Sequence, residues 1–511
     1  MDTCPIPKTM AMKRLLFLML NLSVFALSVT AQNPSDRQLA EAVIQTYFDG
    51  WGTGDSTKVG RAMHRSCHLK NFRDGKFIDL NRTQYLSGFR LRQRPAGLVT
   101  RIVSMDITSG VGAAKTEIVT DRDTFTDYFN LMKIDQQWFI VDKIATRIPH
   151  LTAPDLSEPT KETLITDLNR PWSIAFLSEE EALVTEKEGT LVKINLTLKT
   201  KLTIKGFPAD TAKAGYRGDN TGIFDVVVDP QFNQNKFIYV AYAAKKGKEK
   251  ATKVIRAVLE NDALRNIQTI FVASPYSEER YHYGGGMVFG NDGKLYLTMG
   301  ERLFNEKDEP ALPIAQNVED KRGKIYRINS DGTIPNDNPD FGPKAIPGLY
   351  AIGIRAAQGI TKHPVTHAIW FSEHGTMQGD EINILKGGAN YGWPVKTTGK
   401  YRFAEYAPPV LNGNTYTDPI WYWLQTVAPT GLTFYTGDEF PSWKNNLLVA
   451  GLSGGSLWRL VVRGETVLRV EELFTNDRVR LRKVAQSPQG KLYLLTDEAN
   501  GKVIRIKNST R

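Results

Sequence analysis

Residues Tyr281 to Arg302 read YHYGGGMVFGNDGKLYLTMGER. A triple glycine leads into a short apolar strand, an Asn-Asp-Gly turn follows, and a second apolar strand ends at an acidic residue. The same phrase recurs as PWSIAFLSEEEALVTEKEGTLVKI from Pro171, GIFDVVVDPQFNQNKFIYVAY from Gly222 and QGITKHPVTHAIWFSEHG from Gln358. It appears again as APTGLTFYTGDEFPSWKNNLLVAGL from Ala428 and RKVAQSPQGKLYLLTDEANGKVIRI from Arg482. Copies begin about 50 to 75 residues apart, a spacing that suits four-stranded blades joined by long loops. Six copies imply a mainly β architecture, a six-bladed β-propeller over residues 161–508. Its axial channel would gather loops from every blade around one site.

His282 stands at the head of this stretch. Gly284 to Gly286 let the backbone turn sharply and let a flat ligand approach closely, leaving His282 on a loop edge with a free imidazole. Because imidazole titrates near neutrality, it can accept a proton from a substrate hydroxyl. An isolated histidine in such a place is more often a packed loop residue, but its surroundings reverse that preference here.

The chain has 511 residues, 41% hydrophobic and 23% charged, enough for two or three domains with substantial cores. Residues 1–31 stand apart. Lys13 and Arg14 precede the apolar run Leu15 to Val29, and Val-Thr-Ala ends at Ala31, a secretory signal pattern implying a secreted or periplasmic protein. Met12 offers an alternative start. The apolar run is too short for a membrane span, and no later segment approaches that length. Beyond the signal only Cys67 remains, so no intrachain disulfide is expected. The formal charge of +10 falls to +8 once the signal, with three Lys or Arg and one Asp, is set aside. That charge is dispersed, which fits a small polyanionic ligand better than nucleic acid.

Between Ser35 and Trp51, Leu39, Val43, Ile44, Tyr47 and Phe48 recur at helical spacing. Strands are expected at Leu98 to Ile107, Gly112 to Thr120, Asp123 to Ile134 and Gln137 to Ile144. A helix leading into such a meander over residues 35–147 resembles the small α+β NTF2-like cone, in its lumazine-binding-like branch. Asp123, Tyr128 or His64 could line a pocket there, although structural roles suit each of them. Arg90, Arg92 and Arg94, at period two, read as one solvated strand face. Residues 148–160, rich in proline, read as a linker.

Around the repeats lie Asn220, Arg355 and Gln358 in GIRAAQG, the run from Ser372 through Asp380 and Glu381 to NYGWP, and Arg480 with Arg482. Together these residues resemble the soluble PQQ-dependent sugar dehydrogenases, the glucose/sorbosone or aldose sugar dehydrogenase family, over about Leu164 to Ile506. The most specific segments are HYGGG, SEHG…GDEINIL…GANYGWP, TVAPTGLTFY and LYLLTDE, in that order. The resemblance implies an oxidoreductase that converts an aldose to its lactone at C1, using pyrroloquinoline quinone (PQQ) and calcium and passing electrons to an external acceptor. It makes His282 the general base and gives Arg355 the negative charge developing on the quinone oxygen. Asn220 and Gln358 would lie near the cofactor, and Arg480 and Arg482 would bind its carboxylates. The backbone carbonyls of Gly375 and Thr376 would hold the cofactor's calcium, while Asp380, Glu381 and the Tyr391 carbonyl match a second, structural calcium site. Three positions depart from the family pattern. Ala356 and Ala357 replace Asn-Pro, Ser453 to Ser456 lack a Lys or Arg, and Thr376 replaces a proline. A calcium-dependent lactonase and a non-catalytic carbohydrate- or protein-binding propeller remain as alternatives.

Overall fold

The computed structural model of the protein describes residues 35–509 apart from 74–75, 96–97, 121–122, 150–157 and 215–218. The expected signal segment lies outside them. The chain divides into two compact units, Met1–Leu156 and Ser157–Arg511.

In the first unit, the helix Asp36–Thr53 starts at a capping box in which Ser35 and Gln38 satisfy each other's backbone N–H groups. Ala40, Ile44, Tyr47 and Phe48 form its buried face, while Leu39 and Val43 pack at the margin. That face meets a six-stranded sheet in the order Lys76–Asn81, His68–Arg73, Gln137–Pro149, Asp123–Ile134, Val111–Val119, Val99–Thr108. The last four are the expected strands. The first two were not anticipated, because this hairpin leaves Phe72 and Phe77 exposed against each other and so hides its alternation.

Arg90, Arg92 and Arg94 do not form a strand. Arg92 donates to the Trp51 and Gly52 carbonyls at 3.0 and 3.3 Å and stacks on the Trp51 ring, so it satisfies the end of the helix. The three pocket candidates have other contacts. Asp123 pairs with Arg147 at 2.8 Å, the His64 ring bonds Ser66 Oγ at 2.7 Å, and Tyr128 is exposed.

The second unit consists of six four-stranded antiparallel sheets. Each copy of the repeated phrase supplies the first two strands of one sheet. The first strands are Pro171–Phe176, Ile223–Val228, Gly284–Phe289, Ala357–Lys362, Pro429–Phe434 and Leu481–Gln486. Each lies against the next, and the sixth lies against the first. The sixth sheet takes its outer strand from the start of the unit, Pro159–Leu168, which pairs with Gly501–Asn508. That strand begins inside the stretch expected to be linker.

Two features hold neighbouring sheets together. Buried hydroxyls on second and first strands reach the next sheet's backbone. Thr185 donates to Phe224 O at 2.6 Å, Thr298 to Ala357 O at 3.0 Å, Ser372 to Thr430 O at 2.8 Å and Thr430 to Arg482 O at 2.6 Å. Close backbone approach does the rest. A Cβ on Gly286 would stand 2.6 Å from Gln358 O, and one on Gly285 2.8 Å from the Phe224 ring. Gly284 and Gly285 also have positive φ. Gly285 and Gly286 therefore serve contact between first strands, a role the sequence reading did not assign to them.

Candidate active site

Every first strand begins with a register shift against its partner, at Pro171, Ile223, Gly284, Ala357, Pro429 and Leu481. Such bulges bend a strand end and re-aim the residues just before it. His282, two residues before one such strand, has φ 50°. Arg302 fixes its loop from below, donating to Tyr281 O at 2.9 Å and Lys250 O at 3.0 Å with its guanidinium 3.6 Å from the Tyr283 ring centre.

His282 Nδ1 lies 2.6 Å from Glu301 Oε1, and the two side chains are 11% and 1% exposed. With the carboxylate accepting from Nδ1–H, Nε2 keeps its lone pair. Burial first, then the positive charges of Arg355, Arg402 and Arg302, hold the imidazole pKa well below its usual value, so the ring is neutral at pH 7. Burial raises Glu301 to about 7 against the pull of Arg355.

Arg355 is buried beside this pair. Its backbone carbonyl accepts from Glu301 N at 2.9 Å, its backbone N–H donates to Glu373, and its guanidinium lies 5.1 Å from the Trp393 ring centre. Nη1 donates to Gly375 O at 2.7 Å, whereas Nε is buried without a partner. A buried, partly unsatisfied guanidinium is suited to an anionic oxygen.

A second group forms around Asp497. Its oxygens receive Arg482 at 2.9 Å and Arg480 at 3.0 Å, while Arg482 also donates to Gln358 Oε1 at 2.7 Å and Arg480 to Leu452 O at 3.1 Å. Burial works to raise the Asp497 pKa, but Arg482, Lys187 and Arg480 outweigh it and hold the group well below the usual carboxylate range. His374 connects the two groups. Burial lowers its pKa to about 4, with Arg355, Arg482 and His282 all contributing, and its Nε2 lies 2.9 Å from Pro429 O. His282, Arg355, Gln358 and Arg482 thus belong to one connected region. Asn220 makes a backbone bond to Arg280 O at 3.2 Å and is half-buried.

The residues expected to bind metal divide differently. Asp380 and Glu381 are consecutive on the strand Asp380–Ile384, so their side chains point to opposite faces. Asp380 accepts from the N–H groups of Gly375, Val427 and Ala428 at 2.9, 2.7 and 2.7 Å, which makes it a loop anchor. Glu381 instead lines a cavity of about 20 Å³ with Glu373, Arg355, Tyr391 and Trp393. Burial raises Glu373 to about 8, Glu381 adding to the effect, and Glu373 Oε2 has no partner. The Gly375 carbonyl already receives Arg355, and Thr376 donates to Lys400 O. Among the described residues, no three His, Cys, Asp or Glu side chains cluster as metal ligands.

Glu301, Glu373 and Asp497 were missed as site residues. Each ends or closely follows the second strand of its sheet, so an acid at or within two residues of the end of the second apolar strand was the available signal.

The sequence profile of the Glucose / Sorbosone dehydrogenase family matches residues 168–505. The chain belongs to this family. The profile of the family described as putative lumazine-binding matches residues 35–144. Aldose sugar dehydrogenase YliI of Escherichia coli is 31% identical over 381 residues, covering 73% of this chain and 98% of the relative. Quinoprotein glucose dehydrogenase B of Acinetobacter calcoaceticus is 26% identical over 416 residues, covering 66% and 85%. The crystal structure of the soluble E. coli aldose sugar dehydrogenase in its apo-form aligns with 69% of this chain and all of its own at 30% identity, TM-score 0.63. As in that family, this chain is a sugar-dehydrogenase-like oxidoreductase, and the paired His282 and Glu301 lie within its matched segment.

Proposed function

We propose that the protein oxidises an aldose at C1 to the lactone with PQQ and calcium and delivers the electrons to an external acceptor. The six sheets would be the blades of one six-bladed propeller, following an NTF2-like cone and, in the mature secreted protein, a removed signal of residues 1–31. The observation that carries the reading is the buried His282, whose pKa burial holds low and whose Nδ1 is held by Glu301, beside the partly unsatisfied Arg355.

When bound, PQQ supplies the acceptor for the C1 hydride. In the chain itself, Nε2 of His282 takes the proton of the C1 hydroxyl, and Glu301 stabilises the imidazolium so formed. Arg355, Gln358, Arg480, Arg482 and Asn220 would hold the cofactor. For its carboxylates, Arg480 and Arg482 keep donors beyond those that Asp497 occupies, since a guanidinium carries five N–H groups. The calcium reading narrows. Glu381 with Glu373 suits a structural cation, because both carboxylates face one water-sized cavity where burial disfavours their charge. Tyr391 and Gly375 line the same space, Asp380 and Thr376 do not, and the Gly375 and Thr376 carbonyls would be the candidates for the cofactor's own calcium.

Purified protein incubated with PQQ and calcium should acquire a quinone absorption that an aldose bleaches. Absence of any bound quinone spectrum would reject this reading.

A further inference from the structure

The mechanism above leaves unused a buried carboxyl next to Glu301. Glu309 lies just beyond the short helical turn Glu306–Asp308, and its carboxyl is within hydrogen-bonding reach of Glu301. Each acid has one committed oxygen. Glu301 Oε1 meets His282 Nδ1 at 2.6 Å, and Glu309 Oε2 accepts from Ile314 N at 3.0 Å. The remaining oxygens, Glu301 Oε2 and Glu309 Oε1, are both buried and outside formal hydrogen bonds, with the Trp393 indole N–H, itself buried without a partner, facing Glu301.

Two carboxyls cannot sit together as bare anions in such a place. Either repulsion parts them or one proton lies between them. The surroundings favour the proton. Glu301 is faced by His282, Arg355, Glu306 and the Trp393 indole, and Glu309 by Glu301, Arg322 and Tyr406. Arg355 and Arg302 are the cations near Glu301 and Arg322 and Lys324 those near Glu309, and none donates to these carboxyls; Arg355 donates to the His374 and Gly375 carbonyls, Arg302 to those of Tyr281 and Lys250, Lys324 to those of Ile314 and Arg322, and Arg322 to Asp320. Burial raises Glu301 to about 7 and Glu309 to about 8.

We propose that Glu309 is a positioning residue that shares one proton with Glu301 Oε2, so that Oε1 stays an acceptor for His282 Nδ1–H and Nε2 stays the base. This rests on the sugar dehydrogenase reading above. The reasoning is one of competing acceptors. A lone buried Glu301 that gains a proton has one good acceptor in reach, the Nδ1 of His282. Donating there drives the ring proton to Nε2 and abolishes the base. With Glu309 present, the proton is held on the other oxygen and the ring keeps its tautomer. No proton leaves the cluster in the resting state.

Two variants separate positioning from mere support. Glu309→Gln replaces the protonated acid by an amide that can still donate to Glu301 Oε2 and accept from Ile314 N. Glu309→Leu can do neither. With PQQ-loaded enzyme and dye reduction, Glu309→Gln should keep the wild-type pH profile of kcat/KM. In Glu309→Leu the acid limb should move up by about one pH unit, with KM unchanged at high pH. A second readout needs no cofactor. At neutral pH the apoprotein should show the infrared carbonyl stretch of a protonated carboxylic acid that Glu309→Gln lacks. An unchanged band in Glu309→Gln, or an acid limb in Glu309→Leu that coincides with wild type, would overturn the proposal. If wild type oxidises no sugar, the functional reading fails, while the infrared difference still decides whether the proton is shared. If Glu309→Leu does not fold, the Glu309→Gln band decides alone.

Discussion

A histidine acts as a base only while one ring nitrogen is unprotonated and directed at its substrate, and both conditions at His282 are set by neighbours far away in sequence. Glu301 engages Nδ1, and burial together with the cations around the ring keeps it neutral. His282→Gln should therefore still bind PQQ but lose about 10²- to 10⁴-fold in turnover, measured as sugar-dependent dye reduction. The same burial has a consequence for stability. His282 has a folded pKa well below the usual 6.5, so the unfolded chain takes up a proton below that pH which the folded chain refuses. Stability contributed by the neutral ring is thus complete above pH 6.5 and is lost as pH falls below it. Urea unfolding of the apoprotein should show His282→Gln losing less stability than wild type between about pH 6.5 and 5. Equal losses would mean that the ring is charged in the folded state. At this scale the sequence singled out His282, Arg355, Gln358 and Arg482, which the fold brings into one region, because they sit in or beside recognisable motifs. Glu301, Glu373 and Asp497 were signalled only by their place at the ends of second strands, where an acid reads like any solvated one until the fold buries it. Asp380 shows the reverse case, an acid next to Glu381 in the chain and on the other face of the strand.

At the level of elements, the first strands owe their contacts to what they lack as much as to what they carry. Gly286→Ala would push a methyl to within 2.6 Å of Gln358 O, a backbone atom that cannot rotate away. A loss of about 1–3 kcal/mol or more is expected in denaturant unfolding. Thr298→Val removes the donor to Ala357 O between the third and fourth sheets while nearly preserving volume. Its cost should be about 1–3 kcal/mol, because a buried carbonyl loses its partner. A neutral result for both variants would show that the sheets are joined by apolar packing alone. The six two-strand phrases were legible because alternation and turns are local. The outer strands were less so, being shorter or more exposed, like Trp421–Trp423 or Thr200–Thr203. The arginines at 90, 92 and 94 misled for a related reason. Period two looks like a strand, but Arg92 is drawn to the carbonyls ending the helix Asp36–Thr53, Arg94 to Asp49 and Arg90 to the Ser87 and Phe89 carbonyls.

For the molecule as a whole, the strand Pro159–Leu168 completes the sixth sheet, so the second unit depends on residues from both of its ends. A chain beginning at residue 155 should unfold cooperatively, whereas one beginning at Pro171 should not, as followed by circular dichroism during heating. If both unfold with the same midpoint, the closing strand contributes little. Calcium bound at Glu373 and Glu381 should likewise raise the melting temperature, with chelator lowering it and Glu373→Ala/Glu381→Ala making the protein insensitive to chelator. No change with chelator would remove calcium from that cavity. The central claim, that His282 takes the proton as an aldose is oxidised at C1, is tested most directly by rapid mixing of PQQ-loaded protein with aldose carrying hydrogen or deuterium at C1. Wild type should bleach the quinone absorption with a primary isotope effect, and His282→Gln should bleach it at least about a hundredfold more slowly at equal cofactor loading. Bleaching at the same rate in both proteins, or none in loaded wild type, would contradict the account.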